Sequence, residues 1–200
     1  MHAPQRRTLI RRESSDTPWA GELYPTADPA ATAEQLNGRV LAVYAALGLP
    51  QTVVRDPQDS GGTEADVYGC HRRGLAHAVD GLDSSAPPEP RTAAIRSRLA
   101  VKGLTDPQGE AALDRAGRTL AGLGWTVTSS REFGAPVLAL KPPAPSSGVL
   151  GGVSVSYTSG YLRISAGAEC ARYPGGTAVD WEGKPQGLPG LVVPVELRRS

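Results

Sequence analysis

Apolar and polar residues alternate along this chain with two different periods, and each period predicts a type of element. Between positions 32 and 47, apolar residues recur every three or four positions, which is the spacing along one face of an α-helix. Asp28 or Thr32 can cap this helix, and Gly48 followed by Pro50 marks its end. The pattern therefore predicts a helix over 32–47, with an apolar face formed by Leu36, Val40, Val43, Tyr44 and Leu47.

Two further segments have helical spacing. The segment 92–103 places Ile95 and Leu99 four positions apart, so we expect a helix here. The segment 107–122 follows Asp106, a capping residue, and begins with a proline, which is favoured at the first helical position. This second segment is predicted as a helix with an apolar stripe of Leu113, Ala116, Leu120 and Leu123.

After Gly124 the period changes to two, which is typical of half-buried strands. The stretches "GWTVTSS" and "PVLALKP" are predicted strands, and "GGVSVSYTSGYLRISAG" is a predicted hairpin that turns at "TSG". These strands form an antiparallel sheet with one apolar face, which the helix 107–122 covers, and one Ser/Thr face. The C-terminal stretch "GLVVPVELRRS" is predicted at a sheet edge, because Pro194 has no N–H to donate.

Together these elements predict an α+β fold in which N-terminal helices pack on a C-terminal antiparallel sheet of about four strands. Residues 1–31 contain several prolines and no sustained period, so they are predicted to form an extended arm. Residues 32–200 are predicted to form a single domain, which is long enough to bury a core. The polar stretch 56–66 is expected to be a loop, with Glu64 and Asp66 as solvated charges.

Charge and hydropathy argue against two kinds of partner. The net charge is +1, so no overall positive field recruits nucleic acid. No apolar run approaches the roughly 20 residues of a transmembrane helix. The N-terminus carries four arginines but only Leu9 and Ile10 where an export signal needs a longer apolar stretch. We expect that an export signal has been removed ahead of it.

The two cysteines, Cys70 and Cys170, are the strongest chemical feature of the sequence. They form no C-x-x-C pair, and the three histidines supply no fourth ligand for a tetrahedral metal site. A thiol nucleophile at Cys70 with His77 as its base is open, although their spacing of seven is longer than that of facing helical residues. A disulfide is favoured, and it stabilises a chain of this kind in an oxidising compartment. We therefore expect an extracytoplasmic protein.

Two features are candidates for recognition. The first is the loop "YPGGTAVDWEGKPQGLPG" at 173–190, in which Tyr173 and Trp181 have no helix or strand to anchor them. Exposed aromatic residues on such loops are typical of binding hot spots. For Trp181 the sequence favours a position folded back onto the sheet, and exposure as a binding anchor is the other possibility. The second candidate is the Ser/Thr face of the predicted hairpin, which can hydrogen-bond a sugar or an added strand.

One stretch resembles a group of known proteins. "LAGLGWTV" followed by "VSVSYTSGYLRISAGAEC" resembles small actinobacterial secreted or lipid-anchored proteins of unknown function, in which a helix precedes a strand meander that ends in a cysteine. The resemblance covers roughly residues 106–174. It implies a secreted or lipid-anchored protein and assigns no catalytic residues.

These observations favour a non-enzymatic extracytoplasmic or cell-envelope module that binds a protein or wall component. We expect it to be a monomer without a cofactor or metal, and we assign no catalytic residue. The alternative function is a thiol-dependent hydrolase that uses Cys70 and His77. A third possibility is a cytoplasmic interaction protein whose cysteines are reduced.

Overall fold

The structure, a computed structural model, describes residues 21–49, 54–55, 62–77, 87–143 and 149–193. The chain divides into two compact units, of which the smaller comprises Met1–Leu23 and His71–Pro87. The described part of this smaller unit contains a short 3₁₀ helix, Leu75–His77. The larger unit comprises Tyr24–Cys70 and Pro88–Ser200, and it holds all the elements described below. Most of the predicted arm, residues 1–20, lies outside the described residues.

Eight strands can be assigned in the described part of the larger unit, and every pairing between them is antiparallel. They run along the sheet in the order β1–β3–β7–β6–β5–β4, and β2 and β8 also pair with β3. This is a larger sheet than the predicted one of about four strands. The strands are β1 (Val54–Arg55), β2 (Gly62–Asp66), β3 (Thr92–Lys102), β4 (Thr126–Glu132), β5 (Ala135–Lys141), β6 (Leu150–Thr158), β7 (Tyr161–Ala168) and β8 (Ala171–Arg172).

Strand β3 was expected to be a helix over 92–103, and this prediction is wrong. Between Ile95 and Leu99 its buried residues lie at alternate positions, with Ile95 and Leu99 on the core face and Arg96 and Arg98 on the opposite face. The interval of four between Ile95 and Leu99 fits both a helix face and a strand face, so it does not distinguish the two. The long hydrogen-bonded partner β7 and the short partners β1 and β2 make the strand the stable form.

The expected loop at 56–66 is also corrected in part, because its last five residues form β2. Glu64 and Asp66 are paired there with arginines of β3. Glu64 lies 2.9 Å from Arg98, and Asp66 lies 3.4 Å from Arg96. At the C-terminus, residues 190–193 form no strand, and the rest of that predicted edge strand lies outside the described residues.

Helix α1 spans Pro29–Leu47 and confirms the first predicted helix, which begins slightly earlier than expected. The Asp28 carboxylate accepts a hydrogen bond of 2.8 Å from the Ala31 amide and caps the helix. At the other end, Gly48 has a φ of 52°, in the left-handed region that glycine adopts without strain.

Helix α2 spans Asp106–Gly122 and confirms the second predicted helix. Its N-cap is Thr105 rather than the predicted Asp106, because the Thr105 amide donates to the Gln108 side chain at 2.9 Å. The Arg115 side chain of α2 donates hydrogen bonds of 2.7 Å to the carbonyl oxygens of Leu47 and Gly48, so it closes the C-terminus of α1.

The core lies between the two helices and one face of the sheet. Helix α1 packs against β3 and β7, and α2 packs against β4, β5 and β6. The predicted α+β class is therefore confirmed, but α2 lies between β3 and β4 in the chain, so the helices do not both precede the sheet. The inner face of the sheet is apolar, with Leu99, Leu140, Val153, Val155, Leu162 and Ile164 fully buried.

Candidate functional site

Cys70 and Cys170 form a disulfide with an S–S distance of 2.06 Å, as predicted from the sequence. Cys70 is fully buried and follows β2, whereas Cys170 lies between β7 and β8. Both cysteines of the chain are thus oxidised, and neither offers the thiol that a Cys70 nucleophile with His77 requires. Among the residues that the structure describes, no group of histidine, cysteine and carboxylate side chains could hold a metal ion.

The chain after the disulfide forms a small hairpin that carries Trp181. Val179 pairs with Pro185, and the Asp180 amide donates to the carbonyl oxygen of Lys184 at 3.0 Å. Gly183 donates back to the carbonyl oxygen of Asp180 at 3.0 Å and has a φ of 83°. A turn followed by a left-handed glycine is a common hairpin connection. We refer to residues 180–184 as the Trp181 turn.

The Asp180 side chain fixes the backbone of the Trp181 turn. Its carboxylate accepts hydrogen bonds of 2.9 Å from the amides of both Glu182 and Lys184. Aspartate at the first position of a turn stabilises it in this way because its short side chain reaches the amides that follow. The turn is therefore held by side-chain and main-chain hydrogen bonds together.

Tyr173 connects this turn to the core. Its side chain is buried, with 5% of its surface exposed, and its hydroxyl donates a hydrogen bond of 2.9 Å to the carbonyl oxygen of Gly183. The Arg91 guanidinium lies 5.9 Å from the centre of the Tyr173 ring. Burial raises the pKa of Tyr173, so the hydroxyl stays protonated and keeps donating. The expectation that Tyr173 is an exposed loop aromatic is thus wrong, since the residue is part of the core.

Trp181, in contrast, is 91% exposed. The position folded back onto the sheet, which the sequence favours for Trp181, is therefore wrong. Two other exposed side chains belong to the same region: Tyr68, which is 54% exposed, and Val179, which is 42% exposed. We call Tyr68, Val179 and the Trp181 turn the Trp181 surface. Whether Trp181 binds a partner stays a prediction.

A polar network joins Tyr68 to the turn. The Glu182 carboxylate accepts from the Tyr68 hydroxyl at 3.0 Å and lies 2.6 Å from the Lys184 ammonium, which stands 5.4 Å from the centre of the Tyr68 ring. The hydrogen bonds from Lys184 and Tyr68 lower the pKa of Glu182. The hydrogen bond to Glu182 in turn raises the pKa of Tyr68 and of Lys184. At neutral pH the network therefore contains one carboxylate, one ammonium and one neutral phenol.

The second recognition candidate, the Ser/Thr face, is the outer face of the sheet. Ser154 pairs with Ser165 and with Ala139, and Ala139 pairs with Thr128. A groove of about 710 Å³ lies over this region, lined among others by Thr126, Thr128, Lys141, Ser154, Ser165 and Glu169. Gly151 lies at a break in the β6–β7 register, where a Cβ atom would approach the Gly167 oxygen to 2.8 Å. None of the described residues that line this groove has an aromatic side chain.

Phe133 is the most exposed of the aromatic residues that the sequence reasoning missed. Phe133 is fully exposed at the turn between β4 and β5, with a φ of 50°, and Gly134 follows with a φ of 85°. Turns with two left-handed residues favour Asn-Gly, and a bulky side chain in this region is uncommon. The pattern Phe-Gly between two strands is the signal that could have identified it.

No helix in the described ranges has both the length and the apolar character that crossing a bilayer requires. Searches for similarity to protein-family models, to curated proteins and to solved structures find no match for this chain. The resemblance to small actinobacterial secreted proteins therefore stays a prediction.

Proposed function

We propose that this protein is a non-enzymatic extracytoplasmic module that binds a protein or cell-wall component through Trp181. The observation that carries the proposal is the exposure of this large side chain, 91%, at the tip of a turn whose backbone is held by Asp180 and Tyr173. Tryptophan is among the residues most enriched at binding hot spots.

The turn lowers the entropic cost of binding. A flexible loop loses freedom when a partner orders it, whereas a loop already fixed in its bound shape loses little. The Trp181 turn is fixed at its base by the Tyr173 hydroxyl and at its side by Glu182 with Lys184. The charged pair beside Trp181 supplies the polar rim that surrounds the apolar centre of most interfaces.

The disulfide supports the proposed location outside the cytoplasm, because reducing compartments keep most thiols free. The same bond fixes the root of the loop, since Cys170 precedes the Trp181 turn by ten positions. A partner in the cell envelope is consistent with both features.

The test compares Trp181→Ala with the unmodified protein in two assays: co-sedimentation with purified peptidoglycan, and capture of envelope proteins on immobilised protein. Trp181→Ala is expected to weaken capture by at least about 2 kcal/mol, roughly 30-fold, and to leave the melting temperature nearly unchanged. Val192→Ala is the matched control, because Val192 is also apolar and 69% exposed but lies outside the turn. A variant that melts many degrees lower and still captures its partner would show that Trp181 stabilises the fold instead.

A further inference from the structure

Strand β4 forms one edge of the sheet. Among the described strands it pairs only with β5, and their register ends with Glu132 opposite Ala135 around the Phe133–Gly134 turn. Residues that flank such a turn are hydrogen-bonded to each other, and the bonding then alternates along an antiparallel pair. Val127, Ser129 and Arg131 therefore direct their N–H and C=O groups away from β5, toward the open edge.

The first five residues of this edge lack the devices that usually prevent strand addition, whereas its last two, Arg131 and Glu132, are charged. Free edges are commonly shielded by prolines, bulges or charged side chains. The first five residues of β4, Thr126–Ser130, contain no proline and no charge, and they pair with β5 in unbroken register. The outer edge of β3, in contrast, is covered by β1 and β2.

The charges beside the edge indicate which strand would fit. A depression of about 420 Å³ lies between α2 and β4, lined among others by Glu110, Asp114, Ser129, Arg131 and Leu138. Ser129 pairs with the buried Leu138 and therefore lies on the inner face of the sheet. Every second side chain of a strand added beside β4 lies on this same face, next to α2. Glu110 is only 3.8 Å from Arg131, and the second carboxylate, Asp114, makes the local charge negative. Basic side chains at alternate positions of the added strand complement this negative charge.

We propose that β4 takes up an extended segment of a partner protein as an added strand, and that this segment carries Lys or Arg at alternate positions. The exposed ring of Phe133 lies at the turn that follows β4, beside the added strand. The β4 edge is separate from Trp181. The loop that carries Trp181 follows β8, which pairs with β3, and the strands β7, β6 and β5 lie between β3 and β4 in the sheet. Failure of the Trp181 assays therefore does not affect this proposal.

The test uses a fluorescein-labelled eight-residue peptide in which Lys alternates with Val or Thr, and a matched peptide with Glu in place of Lys. The Lys peptide is expected to bind and to slow hydrogen exchange at the amides of Val127, Ser129 and Arg131.

Ser129→Pro removes an outward N–H and is expected to weaken binding at least tenfold, whereas Ser129→Ala keeps the amide and binds normally. The double variant Glu110→Lys with Asp114→Lys is expected to lose the Lys peptide and to favour the Glu peptide.

The proposal is overturned by the absence of saturable binding of the Lys peptide up to about 1 mM, by protection that maps away from β4, or by equal binding of the two peptides. Self-association of the protein that Ser129→Pro abolishes would assign the edge to a second copy of this chain and also overturn it. If Ser129→Pro does not fold, the charge variants decide the question, because both side chains lie on the exposed surface of α2 and outside the strand ladder.

Discussion

The buried hydroxyl of Tyr173 and the main-chain oxygen of Gly183 are joined by a hydrogen bond of 2.9 Å. This bond links the apolar core to the turn on which Trp181 stands. The protein thus combines a core aromatic, which orders the turn, with an exposed aromatic two positions before Gly183. Tyr173 and Trp181, which look equivalent in the sequence, therefore have different positions and different roles.

Tyr173→Phe is expected to loosen the Trp181 turn while leaving the core packed. The variant keeps the ring and removes one hydrogen bond, so the free energy of unfolding falls by about 1 kcal/mol. Amide exchange at Gly183 and Lys184 should become faster, which NMR measures directly. Tyr161→Phe is the control, because Tyr161 is 40% exposed and lies outside the turn. In this variant the amide exchange of Gly183 and Lys184 and the free energy of unfolding should not change. Unchanged exchange at Gly183 in Tyr173→Phe would contradict the role given to the hydroxyl.

The Trp181 turn is expected to weaken in acid because of Glu182. The pKa of this carboxyl is lowered from its ordinary value of 4.5 by hydrogen bonds from Lys184 and Tyr68. A group whose pKa is lowered in the folded protein stabilises it above the ordinary pKa, and this contribution is lost as the pH falls through the lowered value. NMR titration of Glu182 should give a midpoint below 4.5, and the protection of the turn's amides, measured relative to their intrinsic exchange at each pH, should fall below that midpoint.

Glu182→Gln is the control for this titration, since it keeps the shape of the side chain and removes the charge. Its turn should have the looser, acid-like exchange already at neutral pH. A Glu182 midpoint at or above 4.5 would show that the ion pair with Lys184 and the bond from Tyr68 do not persist in solution.

Local patterns predicted the two helices, the strands β4–β7 and the disulfide, because each depends on nearby residues or on the absence of competing chemistry. Strand β3 could not be recognised in the same way. Ala93, Ala94 and Ala100 raise helix propensity, and the alternation of Arg96 and Arg98 with apolar residues favours a strand only once β7 is present as a partner. Long-range pairing overrides the local preference there.

The candidate site was predictable only in part. The sequence favoured a Trp181 folded back onto the sheet and offered its exposure only as the other possibility. The partners of the buried Tyr173, Gly183 and Arg91, are not identified by any sequence pattern. The network around Glu182 requires Tyr68, more than a hundred positions earlier, and no spacing rule connects the two. The disulfide brings these segments into the same region.

Gly109→Ala is expected to destabilise the fold although it replaces a glycine within a helix. Such a change normally stabilises a helix by up to about 1 kcal/mol. At this position the new Cβ atom would stand 2.4 Å from the ring of Tyr157, which is buried and donates a hydrogen bond of 2.8 Å to Asp106. Overpacking of this kind costs about 1–3 kcal/mol.

Gly38→Ala in α1 is the matched control, because no atom lies within 4 Å of its new Cβ atom. Denaturant unfolding should show the two variants moving in opposite directions, with Gly38→Ala stabilised and Gly109→Ala destabilised. If both variants are stabilised, the close packing of Gly109 against Tyr157 is not present in solution.

Phe133→Asn is expected to stabilise the protein, since it replaces a bulky residue held at a φ of 50° by one that tolerates the left-handed region. The gain should be about 1 kcal/mol, or roughly 2–4 °C in melting temperature for a chain of this size. Phe133→Ala removes the ring but keeps a side chain that disfavours this conformation, so it separates relief of strain from loss of the ring. Ser159→Asn tests the equivalent position between β6 and β7, where φ is 47° and the residue replaced is small, and its gain should be smaller.

An exposed residue in a strained backbone conformation lowers the stability of the fold. Strained residues of this kind cluster at functional sites. If Phe133→Asn gains stability and also binds the alternating Lys peptide more weakly, the ring serves recognition at the β4 edge. A loss of stability in Phe133→Asn would instead show that the ring packs against the protein, and the exposed tip of this hairpin would then have no role in binding.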